Sequence, residues 1–258
     1  MVSGLGGRKR EIVDAYDRSA GDFADLADRL IYRWLAQPLA EVLNKMDGLV
    51  LDVATGTGAL GRSLPNPVGV DLSFAQLSHN PLARRVQTDA ERLPFADDVF
   101  AAAGCAFGLN HFPDPGAAVA EMARVAPRVG VLTWIRPEPV FAPKQAVQQA
   151  IEAQSGSSRS AAGRLVDELS EAVGSEAAVR ALLDGANLAS FTTTVEVEVP
   201  WPGADAFIDY RLGMMSAPAI DDLDAIKSEA RDTITRLSDE SLRWRPRLIL
   251  GFGRRRSL

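Results

Sequence analysis

The central part of the chain is predicted to alternate strands and helices. Short apolar runs are separated there by segments whose apolar residues recur at helical spacing. The predicted strands are 49–53, 68–70, 85–88, 99–106 and 129–134, and the predicted helices between them are 59–64, 74–79 and 116–125. Such alternation is typical of a parallel sheet with helices on both faces.

The two ends of the chain extend this pattern. Helical spacing appears at 10–27, at 31–46 and through 137–186, whereas residues 191–199 alternate with the period of a half-exposed strand. Two further helices, 204–212 and 220–237, are predicted before a last strand at 242–252. We therefore predict an α/β fold with a seven-stranded, mostly parallel sheet, the last two strands forming an antiparallel pair at one edge.

Composition limits the possible partners. The 258 residues are 47% hydrophobic and carry a net charge of −6, so no overall basic field attracts nucleic acid. The basic clusters at 8–10 and 254–256 are expected to be solvated terminal charges. We expect no membrane span and a cytoplasmic location, because long apolar segments and a signal-peptide core are missing from the sequence. The single cysteine, Cys105, is expected to be a small core residue.

A glycine-rich segment follows the first predicted strand. Residues 49–61 have the sequence LVLDVATGTGALG, whose last six residues match the G-x-G-x-x-G pattern of dinucleotide sites. That pattern expects an acid about 20 residues further on, but Asp71 comes sooner. Asp52 also precedes the glycines, and a carboxylate there would repel a pyrophosphate and attract a cationic ligand.

With Asp52 before the glycines, the chain resembles the class I S-adenosylmethionine-dependent methyltransferases, whose first motif is acid-x-G-x-G-x-G. Ala54 stands where the first glycine of that motif usually lies. Residues 90–95, AERLPF, resemble small-molecule methyltransferases of the ubiquinone/menaquinone-biosynthesis type. The resemblance implies a Rossmann-like fold, with S-adenosylmethionine as cofactor and S-adenosylhomocysteine as product.

The cofactor site is predicted at the ends of the first three strands, because ligands of open parallel sheets bind outside the strands' carboxyl ends. Asp52, Asp71 and Asp89 each end one of these strands. By resemblance they lie near the methionine amino group, the ribose hydroxyls and the adenine amino group. The full set predicted to contact the cofactor is Tyr16, Asp52, Ala54, Thr55, Gly56, Gly58, Asp71, Leu72, Asp89, Ala90 and Ala106. For Tyr16, a purely packing role is an equal alternative.

His111 is the candidate catalytic residue, since it lies in the loop after the fourth strand that faces the methyl group in this family. Three roles stay open for it: general base, substrate-orienting group and structural residue. The acceptor site is predicted from Trp34, Phe107, Asn110, Arg136, Tyr210, Arg211 and Met214. The mixture at 210–215, which includes Met215, would suit a flat, partly anionic acceptor. No metal site is predicted, because histidine pairs and cysteine pairs at ligand spacing are missing.

The predicted function is methyl transfer from S-adenosylmethionine to a small molecule, in biosynthesis or secondary metabolism. One alternative is a protein of the same fold that catalyses a non-methylating step such as cyclisation, and another is a nicotinamide oxidoreductase. The predicted organisation is a single domain. Its parts are a helical lid (1–47), a cofactor-binding core (48–136), a helical cap (137–186) and C-terminal strands and helices (187–258). The acceptor atom and the oligomeric state are not specified by the sequence.

Overall fold

A seven-stranded sheet forms the centre of the protein in the computed structural model, which describes residues 6–157, 159–214 and 221–256. The strands are β1 (Val50–Val53), β2 (Pro67–Asp71), β3 (Arg85–Gln87), β4 (Ala102–Ala106), β5 (Arg128–Trp134), β6 (Leu188–Glu196) and β7 (Arg247–Arg255). Their spatial order is β3-β2-β1-β4-β5-β7-β6. The first five are parallel, and β7 runs antiparallel to both β5 and β6. The predicted fold class is confirmed, including the antiparallel pair at one edge.

Helices cover both faces of the sheet. They are α1 (Gly7–Arg18), α2 (Ala20–Asp22), α3 (Arg33–Leu35), α4 (Gln37–Leu43), α5 (Phe74–Ser78), α6 (Pro115–Val125), α7 (Ala142–Ser155), α8 (Ala161–Val173), α9 (Glu176–Gly185), α10 (Ala204–Gly213), α11 (Leu223–Ile234) and α12 (Asp239–Leu242). None of the helices in the described residues is long and apolar enough to cross a membrane.

The prediction of a regular helix at 59–64 is wrong. A turn leads there into a 3₁₀ helix of three residues, Gly61–Ser63. Leu64 is extended, as a residue before a proline prefers, and β2 begins at Pro67. The two prolines at positions 65 and 67 thus leave no room for a regular helix after the glycine segment.

A π-helix replaces part of the regular helix predicted near the N-terminus. It spans Phe23–Tyr32 and joins α2 to α3. Asp28 in its middle is fully buried, and its carboxylate lies 2.8 Å from a guanidinium nitrogen of Arg62. Arg62 also donates to the carbonyl of Thr57 at 3.0 Å. The π-helix is therefore tied to the glycine-rich segment through an ion pair between buried Asp28 and exposed Arg62.

Alternate residues of the central strands pack against opposite layers of helices, as the pleat of a strand requires. In β5, Val129 and Val131 belong to one buried cluster and Leu132 to the other. Glycines let α4 approach the sheet closely. A Cβ atom on Gly104 would lie 2.5 Å from Leu43, and one on Gly130 would lie 2.6 Å from Leu39. This contact brings the N-terminal segment onto the sheet over β4 and β5.

Replacing Leu39 with alanine should therefore lower the free energy of unfolding by about 2–5 kcal/mol, because a fully buried side chain would leave a cavity. Urea denaturation measures this loss. The matched control is Leu223→Ala, at a position that is 47% exposed, where the change should stay within about 0.5 kcal/mol. Equal losses for the two variants would contradict the assigned packing of α4.

Candidate functional site

The glycine-rich segment after β1 is held in shape by two aspartates. An Asp52 oxygen accepts hydrogen bonds from the Thr55 hydroxyl at 2.6 Å and the Gly61 N–H at 2.9 Å. The two oxygens of Asp71 accept from the N–H groups of Gly56 at 2.8 Å and Ser73 at 2.9 Å. Both carboxyls therefore shape the loop itself.

Two residues of this loop have left-handed backbone conformations. Ala54 has φ of 54° and Gly56 has φ of 52°. The positive φ at Ala54 explains why a glycine would be favoured at that position, since a Cβ is strained in this region. Gly58, also at positive φ, packs against Asn80 and does not line the cleft described next.

A cleft of about 1100 Å³, including its part open to solvent, lies at the carboxyl ends of β1, β2 and β4. Its wall contains ten of the eleven residues predicted to contact the cofactor, Gly58 being the exception. Helix α1 covers one side of the cleft through Lys9, Ile12, Val13 and Tyr16. Burial raises the pKa of Asp71, and it raises the pKa of Asp52 to about 7 against the opposing effect of the Thr55 and Gly61 hydrogen bonds.

Ion pairs of Lys9 hold α1 over the cleft. Its ammonium lies 2.6 Å from a carboxylate oxygen of Asp89 and 2.5 Å from one of Glu91, and all three side chains are largely buried. The expectation that the terminal basic clusters are only solvated charges is thus wrong for Lys9. It is also wrong for Arg255, which pairs with Asp98 at 2.7 Å. The covering helix is held by a charge pair whose two sides are 80 residues apart in sequence.

Tyr16 and His111 meet where the cleft continues inward. The Tyr16 hydroxyl lies 3.0 Å from Nε2 of His111, and the two rings pack edge to face at 5.2 Å. The other ring nitrogen of His111, Nδ1, is buried without a hydrogen-bond partner among the described residues. Burial lowers the pKa of His111 to about 4, so the imidazole is neutral at pH 7.

A second cavity, of about 740 Å³ including open space, adjoins the first. Tyr16, Tyr32 and His111 line both, so the two cavities share a wall. Five of the residues predicted for the acceptor site line the second cavity, namely Asn110, Arg136, Tyr210, Arg211 and Met214. Asn110 donates from its amide nitrogen to the Ser170 hydroxyl at 3.2 Å, and its amide oxygen has no hydrogen-bond partner among the described residues.

Two of the predicted acceptor residues lie elsewhere. Phe107 lines the first cleft, where its ring packs against Tyr32 at 5.3 Å. Trp34 is 40% exposed, has the Arg33 guanidinium over its ring at 5.4 Å and lines neither cavity. Its helical spacing correctly indicated a helix but could not determine which face points inward. Trp34 is therefore no longer a candidate for the acceptor site.

Comparison with known proteins identifies the central segment. Residues 51–133 match the family model described as a methyltransferase domain. The chain thus contains a segment that matches a methyltransferase domain. This match includes the glycine-rich segment, Asp71 and Asp89, and it argues against the nicotinamide alternative.

Two kinds of methyltransferase are among the matched relatives. The chain is 45% identical over 82 residues to demethylmenaquinone methyltransferase of Mycolicibacterium paratuberculosis, a match that covers 30% of this chain and 36% of the relative. It is 31% identical over 118 residues to the ubiquinone/menaquinone biosynthesis C-methyltransferase UbiE of Burkholderia mallei, covering 40% and 49%. The chain thus spans half or less of the length of these curated relatives.

Solved structures show the same fold. A methyltransferase assigned to an antibiotic biosynthesis pathway of Anabaena variabilis superposes with a TM-score of 0.61 at 14% identity. That superposition covers 86% of this chain and 98% of the other. The fold is therefore shared well beyond the segment that matches by sequence.

The cleft fits S-adenosylmethionine. The ligand carries a sulfonium and an ammonium but no phosphate, and Asp52, Asp71 and Asp89 face the same cleft. The Asp71 carboxylate retains lone pairs beyond those used by the backbone N–H groups. At Gly56 an added Cβ would have only the amide oxygen of Gln76 within 4 Å, at 3.7 Å, so a ligand can approach the backbone there.

Several residues of the two cavities were missed in the sequence. Lys9 stood in a basic run that suggested solvation, and Tyr32 stood in a helix with no motif. Lys144 and Arg159 line the second cavity but lie on a helix and a loop without sequence landmarks. The helical spacing of residues 137–186 was the one sequence signal that this region covers a cavity. Met215, considered beside Met214, lies outside the described residues.

Replacing Lys9 with methionine should loosen the covering helix of the methyltransferase domain. Two carboxylates, Asp89 and Glu91, would lose their shared cation, so the amides of α1 should exchange with deuterium roughly ten-fold faster. Exchange mass spectrometry measures this change, with Lys45→Met at an exposed position as control. Unchanged exchange of α1 in the Lys9 variant would show that the pair does not hold the helix closed.

His111 should make the stability of the methyltransferase domain fall with acidification. An unfolded histidine binds a proton near pH 6.5, whereas folded His111 does so near pH 4, so stability is lost as the pH drops between these values. From pH 7 to pH 5 the wild type should lose about 1–2 kcal/mol more than His111→Gln. Denaturation at both pH values tests this, and His79→Gln controls for removing an imidazole. A His111 variant with the pH dependence of the wild type would contradict the assignment.

Proposed function

We propose that this chain transfers the methyl group of S-adenosylmethionine to a small aromatic acceptor bound in the second cavity. The observation that carries the proposal is the shared wall of the two cavities, where Tyr16, Tyr32 and His111 face both. A donor in the first cleft and an acceptor in the second would meet at these side chains. The relatives named for demethylmenaquinone and for ubiquinone/menaquinone biosynthesis support an aromatic acceptor.

The chain's own residues would bind and orient both ligands. When bound, S-adenosylmethionine supplies an electrophilic methyl carbon on a sulfonium. Asp71 is proposed to accept hydrogen bonds from the ribose hydroxyls and Asp89 from the adenine amino group. Helix α1, held by Lys9, would exclude water from the cleft, and alignment with water exclusion supplies much of the acceleration of such a transfer.

Of the three roles open for His111, orientation is supported best. Its pKa of about 4 makes the imidazole a poor group for keeping a proton taken from the acceptor. The neutral ring is hydrogen-bonded to Tyr16, and its second nitrogen has no hydrogen-bond partner among the described residues. This nitrogen is suited to form one hydrogen bond with a substrate. We propose that His111 and Tyr16 together position the acceptor beside the cofactor.

Calorimetric titration with S-adenosylhomocysteine tests the cofactor half of the proposal. Asp71→Asn should weaken binding by about 10–100-fold, because a charged acceptor of hydrogen bonds is lost. Asp25→Asn, at an exposed position, should bind as the wild type does. A wild-type chain that does not bind this ligand would refute the proposed function.

Incubation with methyl-labelled S-adenosylmethionine and a fractionated cell extract tests the transfer itself. We expect label in a small organic product and formation of S-adenosylhomocysteine. Cofactor binding without any transfer of label would instead favour a non-methylating reaction such as cyclisation.

A further inference from the structure

The second cavity has an unusual concentration of positive charge. Its wall contains four cations and two carboxylates, whereas the whole chain has a net charge of −6. The cations come from four separate parts of the chain: Arg136 follows β5, Lys144 lies on α7, Arg159 precedes α8, and Arg211 lies on α10. Because they are far apart in sequence, only folding brings them together around one space.

The two carboxylates are already used by three of these cations. Glu138 pairs with Arg136 at 3.0 Å and with Lys144, and Asp167 pairs with Arg159 at 3.0 Å. Arg136 and Arg159 are 17% and 20% exposed, so solvent screens these charges poorly. The cavity wall is left with two positive charges in excess.

Arg211 is the cation that lacks a carboxylate partner in the described part of the chain. Its guanidinium lies 5.8 Å from the centroid of the Tyr210 ring, and its Nε is buried without a hydrogen-bond acceptor. Burial lowers the pKa of Lys144, and the nearby charge of Arg211 lowers it further against the pull of Glu138. The cations thus repel one another, and an anion entering the cavity would relieve that repulsion.

Much of the remaining wall is aromatic. Tyr32, Trp134, Phe207, Tyr210 and Trp244 all line the cavity. Phe207 packs against Tyr210 at 5.8 Å and Trp244 at 6.0 Å, and Tyr32 against Trp134 at 6.4 Å. Such a wall suits a flat ring, because aromatic pairs favour offset or edge-to-face contact. A planar guanidinium, in turn, matches the two oxygens of a carboxylate.

We propose that the second cavity binds aromatic carboxylates, with Arg211 as the residue that selects the negative charge. This inference rests on the proposed function only in naming the cavity as the acceptor site. It specifies the acceptor as an aryl acid, in which the carboxylate lies against the cations and the ring against the aromatic wall.

Paired probes test the charge preference directly. Hydroxylated benzoates and naphthoates are titrated into the full chain saturated with S-adenosylhomocysteine, each beside its neutral carboxamide of nearly equal shape. We expect carboxylates to bind at least ten-fold more tightly than their carboxamides. Arg211→Gln should reduce that ratio below three-fold, and Arg159→Gln should reduce it as well. Arg236→Gln, an exposed position, should preserve it.

The outcomes separate this inference from the proposed function. A panel in which no carboxylate is preferred over its carboxamide overturns the inference, as does an Arg211 variant that weakens both probes equally. If S-adenosylhomocysteine binds in those cases, the methyltransferase proposal stands. A chain that prefers carboxylates but does not bind S-adenosylhomocysteine would refute the methyltransferase proposal and leave the carboxylate site intact.

Discussion

The architecture of the site depends on two buried carboxyls that accept backbone N–H groups at the ends of β1 and β2. Asp52 and Asp71 hold the chain between Ala54 and Gly61 in a conformation that places Ala54 and Gly56 in the left-handed region. A buried carboxyl is costly unless its oxygens are hydrogen-bonded, so loop and acids stabilise each other. Without these hydrogen bonds the loop that lines the cleft would lose its conformation.

Helix α1 then turns an open edge of the sheet into an enclosed space. It is attached at both ends of its covering face, through the Lys9 ion pairs and through the Tyr16 hydroxyl. The same Tyr16 lines both cavities. The helix that covers the first cleft therefore also contributes to the wall of the second cavity.

The sequence predicted the features that depend on local pattern. The strand ends with Asp52 and Asp71, and the antiparallel edge pair, follow from apolar runs and their boundaries. The short 3₁₀ helix at 61–63 was missed because two prolines override helical spacing. Lys9, Lys144 and Arg159 could not be predicted, since their positions in the two cavities arise from contacts between separate segments. Trp34 is the opposite case: it was predicted for the acceptor site but is exposed, because only packing determines the direction of an aromatic side chain.

The π-helix determines the relative direction of the two aromatic side chains at its ends. Phe23 and Tyr32 are nine residues apart, which in a regular helix of 3.6 residues per turn would put them on opposite sides. The wider turns of a π-helix make nine residues into about two full turns. The two rings accordingly lie 5.3 Å apart and face the same cleft. Regular helical pitch between the same two residues would turn one aromatic ring away from the two cavities.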